Sequence, residues 1–540
     1  MHRHLPFAIA CLLLAGCSRG DQAPAPTKPA SSAGTATAAP TFAYEEATVA
    51  ALQAQMASGA LSSRTLTQAY LDRIAAIDDA GPTLNAVIET NPNALQDAEA
   101  LDAERKAGKL RGPLHGIPVL LKDNIDAVPM VNSAGSLALA AHRPKSDAFL
   151  VARLRDAGMV ILGKTNLSEW ANFRSTRSIS GWSSRGGQTR NPYVLDRNPC
   201  GSSSGTGSAI SANLAAVGIG TETDGSILCP SAVSGLVGIK PTVGLVSRSG
   251  IIPISESQDT AGPMARSVAD AAALLTAIAV ADPADAASGE RGDVQHIDYT
   301  AHLKADALKG ARIGVVRALM GYQPDTDAAM ERAITTMKAA GAQVVDVEIQ
   351  TLNEWKDDEY TVLLYEFKDG LNRYLASSGA PHASLSALMA FNNDNAQDTM
   401  PFFAQEIFEQ ANQKGTLADA AYTKARDRSR RLAGPEGIDT ALQSQQLDAL
   451  VAPSMSPAWL TDPVNGDLFT GAGYGAAAVA RYPSITVPMG DVHGLPVGIT
   501  FMATAWREAR LIELAYAFEQ ASKARTPPRF LPSIRTAARK

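Results

Sequence analysis

The residues of this chain that could do chemistry are two serines and a lysine in unusual local settings. Thr223-Asp224-Gly225-Ser226 closes an expected strand and opens an expected helix. A tight glycine turn there can aim several backbone N–H groups at one point, and the partial positive charge of a helix N-terminus adds to them. Ser226 would present its hydroxyl beside such an anion site. Hydrolysis of an amide asks for these parts: a nucleophile, donors for the oxyanion, and a proton acceptor.

The acceptor is the harder part to find. Gly116-Ile117-Pro118-Val119-Leu120-Leu121-Lys122-Asp123 puts a lysine at the end of an apolar run. Burial disfavours the charged form, so a lysine there can be neutral and accept a proton. A strand-end lysine paired with Asp123, or in solvent, is the plainer reading of those residues alone. Gly201-Ser202-Ser203-Ser204-Gly205 supplies a second serine that could relay between Ser226 and Lys122. It runs straight into a helix of small apolar residues, which argues against a flexible linker and for close backbone approach to a ligand.

Together these segments resemble the amidase signature family. Ser226 follows Ser202 by 24 residues, the spacing in that family between the nucleophilic and the bridging serine. The resemblance implies a Ser226–Ser202–Lys122 triad and a cis peptide bond between Gly201 and Ser202. It maps the oxyanion hole to the backbone N–H groups of Thr223, Asp224, Gly225 and Ser226. It covers most of the chain, through Gly163-Lys164-Thr165-Asn166, Gly238-Ile239-Lys240-Pro241-Thr242, Asp259-Thr260-Ala261-Gly262-Pro263, Ile485-Thr486-Val487-Pro488 and Gly494-Leu495-Pro496-Val497-Gly498. Those blocks read as scaffold: Gly and Pro set turns, and Lys164 and Lys240 are scaffold lysines.

Departures from the family bear on the substrate. Asp224 stands where the family has glycine, Cys200 replaces the glycine before Gly201, and Leu228 replaces an arginine after the nucleophile. Asp224 and Leu228 are expected close to the reacting carbonyl. Ser203, Leu228 and Gln258 are the candidate substrate contacts, with Gln258 and Asp259 also open to a loop-holding role. Thr221 to Arg266 is most similar to bacterial peptide amidases, which implies removal of the C-terminal amide of peptides. Small aliphatic or aryl amides are the alternative substrates, and a non-catalytic envelope-binding lipoprotein is the alternative function. Gly201 to Gly205 also fits the G-x-S-x-G elbow, with His493 or His382 as base. Asn191-Pro192 and Asn198-Pro199, however, make a poor strand before it.

These side chains need a rigid scaffold. Apolar runs at Leu114–Leu121, Met159–Leu162, Ala215–Gly220, Ala311–Val316, Gln343–Val347, Leu450–Ala452 and Ile485–Val487 read as strands. Helical spacing appears from Leu66 to Ile77 behind Ser62 and Ser63, and over 151–157, 205–216, 326–339, 355–376 and 507–521. Residues 285–300 read as a surface loop. The alternation predicts an α/β fold with a mostly buried sheet. The family resemblance implies one large domain over 42–540, with a mixed sheet covered by helices on both faces and its signature core at about 110–270.

The N-terminus reads separately. His2-Arg3-His4, the apolar stretch Leu5–Leu14 and small residues form a secretory signal over 1–17. Leu14-Ala15-Gly16-Cys17 resembles the lipobox of bacterial lipoproteins, which implies lipidation at Cys17. Residues 18–41, rich in Ala, Pro, Ser and Thr, read as a disordered tether. The expected location is therefore the periplasm or a lipid-anchored position in the cell envelope. Cys200 and Cys229 then remain, open to a disulfide in an oxidising compartment or, more simply, to two buried thiols. A formal net charge of −6 with no basic patch speaks against nucleic acid. Nothing in the spacing of His and Cys suggests a metal. No cofactor and no obligate protein partner are expected, only a small peptide or amide substrate.

Overall fold

The computed structural model describes residues 42–291 and 297–534, which lie in one compact unit. The signal, Cys17 and the tether fall outside the described residues. Thirteen strands appear: β1 Val87–Thr90, β2 Pro118–Lys122, β3 Val160–Thr165, β4 Trp182–Ser183, β5 Gly187–Gln188, β6 Val217–Glu222, β7 Val237–Lys240, β8 Thr260–Ala265, β9 Arg312–Val316, β10 Gln343–Val347, β11 Ala449–Pro453, β12 Ser484–Val492 and β13 Leu495–Met502. Eleven form one mixed sheet in the order β1-β3-β2-β6-β8-β7-β12-β13-β11-β9-β10, flanked by helices; β4 and β5 pair separately. Strands β2, β3, β6, β7 and β8 are buried along their whole length because both faces are covered.

Parallel pairing of β2 with β3 and β6 sets the site. Lys122 is the last residue of β2 and Glu222 the last of β6, so both strands deliver their C-terminal ends to the same edge of the sheet. That edge is where open α/β sheets bind ligands.

Helices α1 Val49–Ala57, α2 Ser63–Arg73, α3 Ala94–Lys106, α4 Phe149–Asp156, α5 Ser204–Ser211, α6 Leu228–Val233, α7 Val268–Ile278, α8 Pro324–Ala339 and α9 Lys356–Ser378 follow in order. Ser62 caps α2, its Oγ accepting from the Thr65 amide at 3.0 Å. Every residue of α5 is buried. Its small side chains make this packing feasible: a Cβ on Gly205 would lie 2.3 Å from the Ala86 carbonyl oxygen and 2.4 Å from that of Asn166.

Several elements differ from the sequence reading. The small-residue helix stops at Ser211, and the next strand is shifted to Val217–Glu222. The Gly/Pro blocks at Thr260–Ala265 and Leu495–Met502 are internal strands. Proline is tolerated in β8 because its ladder with β7 spans only Val237↔Ala265 and Gly238↔Met264, so Pro263 is asked for no hydrogen bond on that side. The 285–300 stretch is not all surface, since Tyr299 is buried in the main core and Asp285 is paired with Arg248. No helix among the described residues is long and apolar enough to cross a membrane.

Candidate active site

Lys122, Ser202 and the turn before Ser226 come together at the C-terminal edge of β2 and β6. Lys122 is fully buried. Its Nζ lies 2.7 Å from Ser202 Oγ, 3.1 Å from the Thr221 carbonyl oxygen and 2.9 Å from Thr221 Oγ1. Burial pushes its pKa down to about 7, against the opposing fields of Asp259 and Glu222. A neutral lysine has two N–H donors and one lone pair. Directing the two donors at Thr221 leaves the lone pair for the hydroxyl of Ser202. Asn124 Nδ2 holds the same Thr221 Oγ1 at 3.0 Å. The sequence reading missed Thr221 and Asn124. One signal was present: a threonine inside a fully buried strand needs a partner for its hydroxyl.

The Gly201–Ser202 peptide bond is cis, as the family resemblance implies. The Ser203 amide donates to the Ser226 carbonyl at 3.2 Å, which joins the two serine segments. Cys200 and Cys229 form a disulfide across the same joint, with Cα atoms 6.0 Å apart. This corrects the simpler reading of two buried thiols: the segment before Ser202 and the helix after Ser226 pack side by side, which brings the pair within bonding reach.

The turn from Thr223 to Ser226 depends on Gly225. Its φ is +80°, and a Cβ there would lie 2.1 Å from the ring of Tyr474. Glu222, buried behind the turn, accepts the amides of Ile227 at 2.7 Å and Leu228 at 3.0 Å. Desolvation raises its pKa, while Lys240 and the amides of Ile227, Leu228 and Gly225 pull it down.

Two hollows meet at this turn. One of about 480 Å³ is lined by Asn124, Ser202, Thr221 and Asp259. The other, of about 930 Å³, is lined by Ser226, Asp224, Glu359, Trp355, Phe469 and Tyr474. They share Ala171, Thr223 and Ile254 as common wall. Asp224 is exposed to the larger cleft. Desolvation by the cleft walls, together with the carboxyl of Glu359, raises its pKa well above the usual range.

The candidate substrate contacts fare differently. Ser203 and Leu228, expected against the substrate, are fully buried behind the turn. Ser203 Oγ bonds the Thr221 carbonyl at 3.1 Å, and Leu228 packs with Ile227, Cys229 and Met264. Gln258 is buried and reaches Thr223 and Glu359 rather than open space. Lys164 is buried, bonded to the Ile125 carbonyl oxygen at 2.6 Å and paired with Asp123 at 3.1 Å. Lys240 is likewise buried, with the Pro241 carbonyl oxygen at 3.1 Å. His493 sits by Asp325 and His382 stacks on Phe391; neither lines the two hollows, and no strand leads directly into Gly201. Among the described residues no group of three or more His, Cys, Asp and Glu is placed to hold a metal ion.

An amidase family model matches residues 65–512. The chain belongs to the amidase signature family and is an amide-hydrolysing enzyme. Its relatives narrow the comparison. The structure of the native peptide amidase from Stenotrophomonas maltophilia is 59% identical, with a TM-score of 0.88 over 91% of this chain and 100% of that one. The structure of an amidase family protein from Bacillus anthracis is 37% identical, with a TM-score of 0.80 over 89% of this chain and 92% of that one. A "Probable amidase" of Arabidopsis thaliana is 40% identical over 91% of this chain and 93% of the plant protein.

Proposed function

We propose that the chain converts C-terminally amidated peptides to the free acid and ammonia through an acyl-serine intermediate. Ser226 Oγ attacks the carbonyl carbon. Its proton passes to Ser202 Oγ, whose own proton passes to the lone pair of Lys122. The tetrahedral oxyanion is held by the amides of Thr223, Asp224, Gly225 and Ser226. The C–N bond then breaks as the proton returns from Lys122 through Ser202 to the leaving nitrogen. Water attacks the acyl-serine, its proton passes through Ser202 to Lys122, and the bond to Ser226 Oγ breaks as that proton returns to Ser226, releasing the acid.

The observation that carries the chemistry is Lys122: fully buried, 2.7 Å from Ser202, with its two other close partners supplied by Thr221. A cleft of about 930 Å³ beside Ser226 supports the peptide reading, since a simple amide would fill little of it. The similarity to a peptide amidase points the same way.

The chain would act in the bacterial envelope, exported by residues 1–17 and lipid-anchored at Cys17. A Cys200–Cys229 disulfide fits an oxidising compartment.

The deciding experiment follows ammonia and free acid from a short peptide amide with the wild type and Ser226→Ala. Release by the wild type, with a loss of about 10⁴-fold or more in the variant, is expected. Turnover of aryl or aliphatic amides only would overturn the peptide assignment. An active Ser226→Ala would overturn the nucleophile.

A further inference from the structure

Two side chains that the proposed chemistry does not use converge on one residue of the oxyanion turn. Thr223 Oγ1 donates to Asp259 Oδ1 at 2.6 Å. The carbonyl oxygen of Thr223 accepts from Gln258 Nε2 at 3.3 Å. Asp259 is itself fixed, because its Oδ2 accepts the amides of Ile254 at 2.8 Å and Ser255 at 2.9 Å. Gln258 Nε2 also donates to Glu359 Oε1 at 2.9 Å. Glu359 lies on α9 and forms part of the cleft wall beside Ser226. Glu366, two turns further along α9, accepts from Ser255 Oγ at 2.5 Å and from the Ser257 amide at 2.8 Å. The loop from Ile254 to Asp259 is therefore docked on the helix that lines the cleft.

The geometry of the peptide group gives this arrangement a function. The carbonyl of Thr223 and the N–H of Asp224 belong to one planar trans unit and point in opposite directions. Whatever holds that carbonyl also aims that N–H. A turn with a glycine at φ +80° has little stiffness of its own, and an oxyanion donor contributes only when it is held in place before charge develops. Gln258 supplies the hold on the carbonyl and Asp259 the hold on the side chain.

We propose that Gln258 and Asp259 are positioning residues for the oxyanion turn. Gln258 aims the Asp224 amide and couples that aim to Glu359 in the cleft wall, while Asp259 fixes Thr223. The inference rests on the assignment of Ser226 and the 223–226 amides made above. It replaces direct substrate contact by Gln258 with action through the turn.

The test measures kcat, KM and inhibition for the full chain with a peptide amide. A peptide aldehyde, which forms a tetrahedral adduct on a serine, and the matching alcohol, which does not, serve as the inhibitor pair. Gln258→Leu should lower kcat by about 10- to 100-fold with KM held within about twofold, since a misplaced oxyanion donor acts on the transition state. Aldehyde inhibition should weaken by a similar factor and alcohol inhibition should not. Thr223→Val should behave likewise, and Thr223→Ser should recover most of the rate that Thr223→Val loses, because its hydroxyl still reaches Asp259. Combining Thr223→Val with Asp259→Asn should cost no more than the worse single variant, as one shared bond is lost. Should Asp259→Asn fail to fold, Thr223→Val and Gln258→Leu still decide the matter. Wild-type kcat in both, or equal weakening of aldehyde and alcohol, would overturn the inference. An active Ser226→Ala would instead overturn the reading beneath it.

Discussion

At the scale of single residues, the chemistry turns on the protonation of Lys122. Burial penalises the ammonium form, so its proton leaves near pH 7 rather than near the ordinary lysine value of 10.5. The base must be neutral to receive the proton of Ser202. Activity should therefore rise through about pH 7 and level off above it, falling about tenfold per unit on the acid side where the ammonium accumulates. The negative fields of Asp259 and Glu222 keep the value from dropping further, so their neutralisation should move the acid limb to lower pH. A pH profile of kcat/KM for the wild type tests this. Lys122→Met should cost about 10²- to 10⁴-fold and lose the limb, and a variant that kept both rate and limb would point to another base. The resemblance to the amidase signature family singled out Lys122, Ser202 and Ser226, whereas Lys122 by itself read more plainly as a strand-end lysine. Thr221 and Asn124 were not legible: Thr221 meets Lys122 from 99 residues away in sequence, and that pairing depends on β2 lying beside β6. Leu228 and Ser203 were misplaced for a related reason. Adjacency to a reacting serine in sequence says nothing about which face of the turn a side chain takes.

At the scale of elements, apolar runs marked β2, β3, β9 and β11, a capped stretch marked α2, and helical spacing marked α8 and α9. Strands β8 and β13 stayed hidden because glycine and proline carry turn signals that only the ladder partners override. The disulfide belongs to this scale too. Cys200 lies two residues before Ser202 and Cys229 three after Ser226, so the bond clamps the segments that carry both serines. It closes a loop of 29 residues, for which loss of unfolded-state entropy contributes about 3 kcal/mol. Reduction, or the Cys200→Ala/Cys229→Ala pair, should lower stability by about that amount in denaturant titrations. It should also lower kcat modestly, because the disulfide adds to the Ser203–Ser226 backbone bond and the Ser203–Thr221 bonds that already join the two serine segments. Unchanged stability under reductant would mean that packing alone holds the joint.

At the scale of the whole molecule, the alternation predicted an α/β fold with a mostly buried sheet and the family resemblance implied a mixed sheet covered by helices, and that is the fold observed. What the sequence could not supply was the strand order, since β8 and β7 are reversed in space and β12–β13 separate them from β11. The proposed boundary between tether and enzyme can be argued from contacts at the first described residues. Phe42 stacks near Tyr44 and Tyr70, with Arg73 over its ring. The Glu46 amide donates to Asn213 Oδ1, the Val49 amide to Asp270 Oδ1, and Arg525 pairs with Glu46. The segment from Phe42 to Val49 thus ties the end of α5, α7 and the C-terminal region together. A chain beginning at residue 42 should keep the wild-type melting temperature and kcat, and should no longer sediment with membranes if Cys17 is the anchor. A chain beginning at residue 50 strips those ties and exposes Tyr70 and Arg73, and it should melt lower by several kcal/mol of stability, since buried partners are left unpaired. The comparison separates anchoring from folding. Equal stability of the two truncations would place the start of the enzyme at or beyond residue 50, and activity lost already in the longer one would make residues 1–41 part of the working protein.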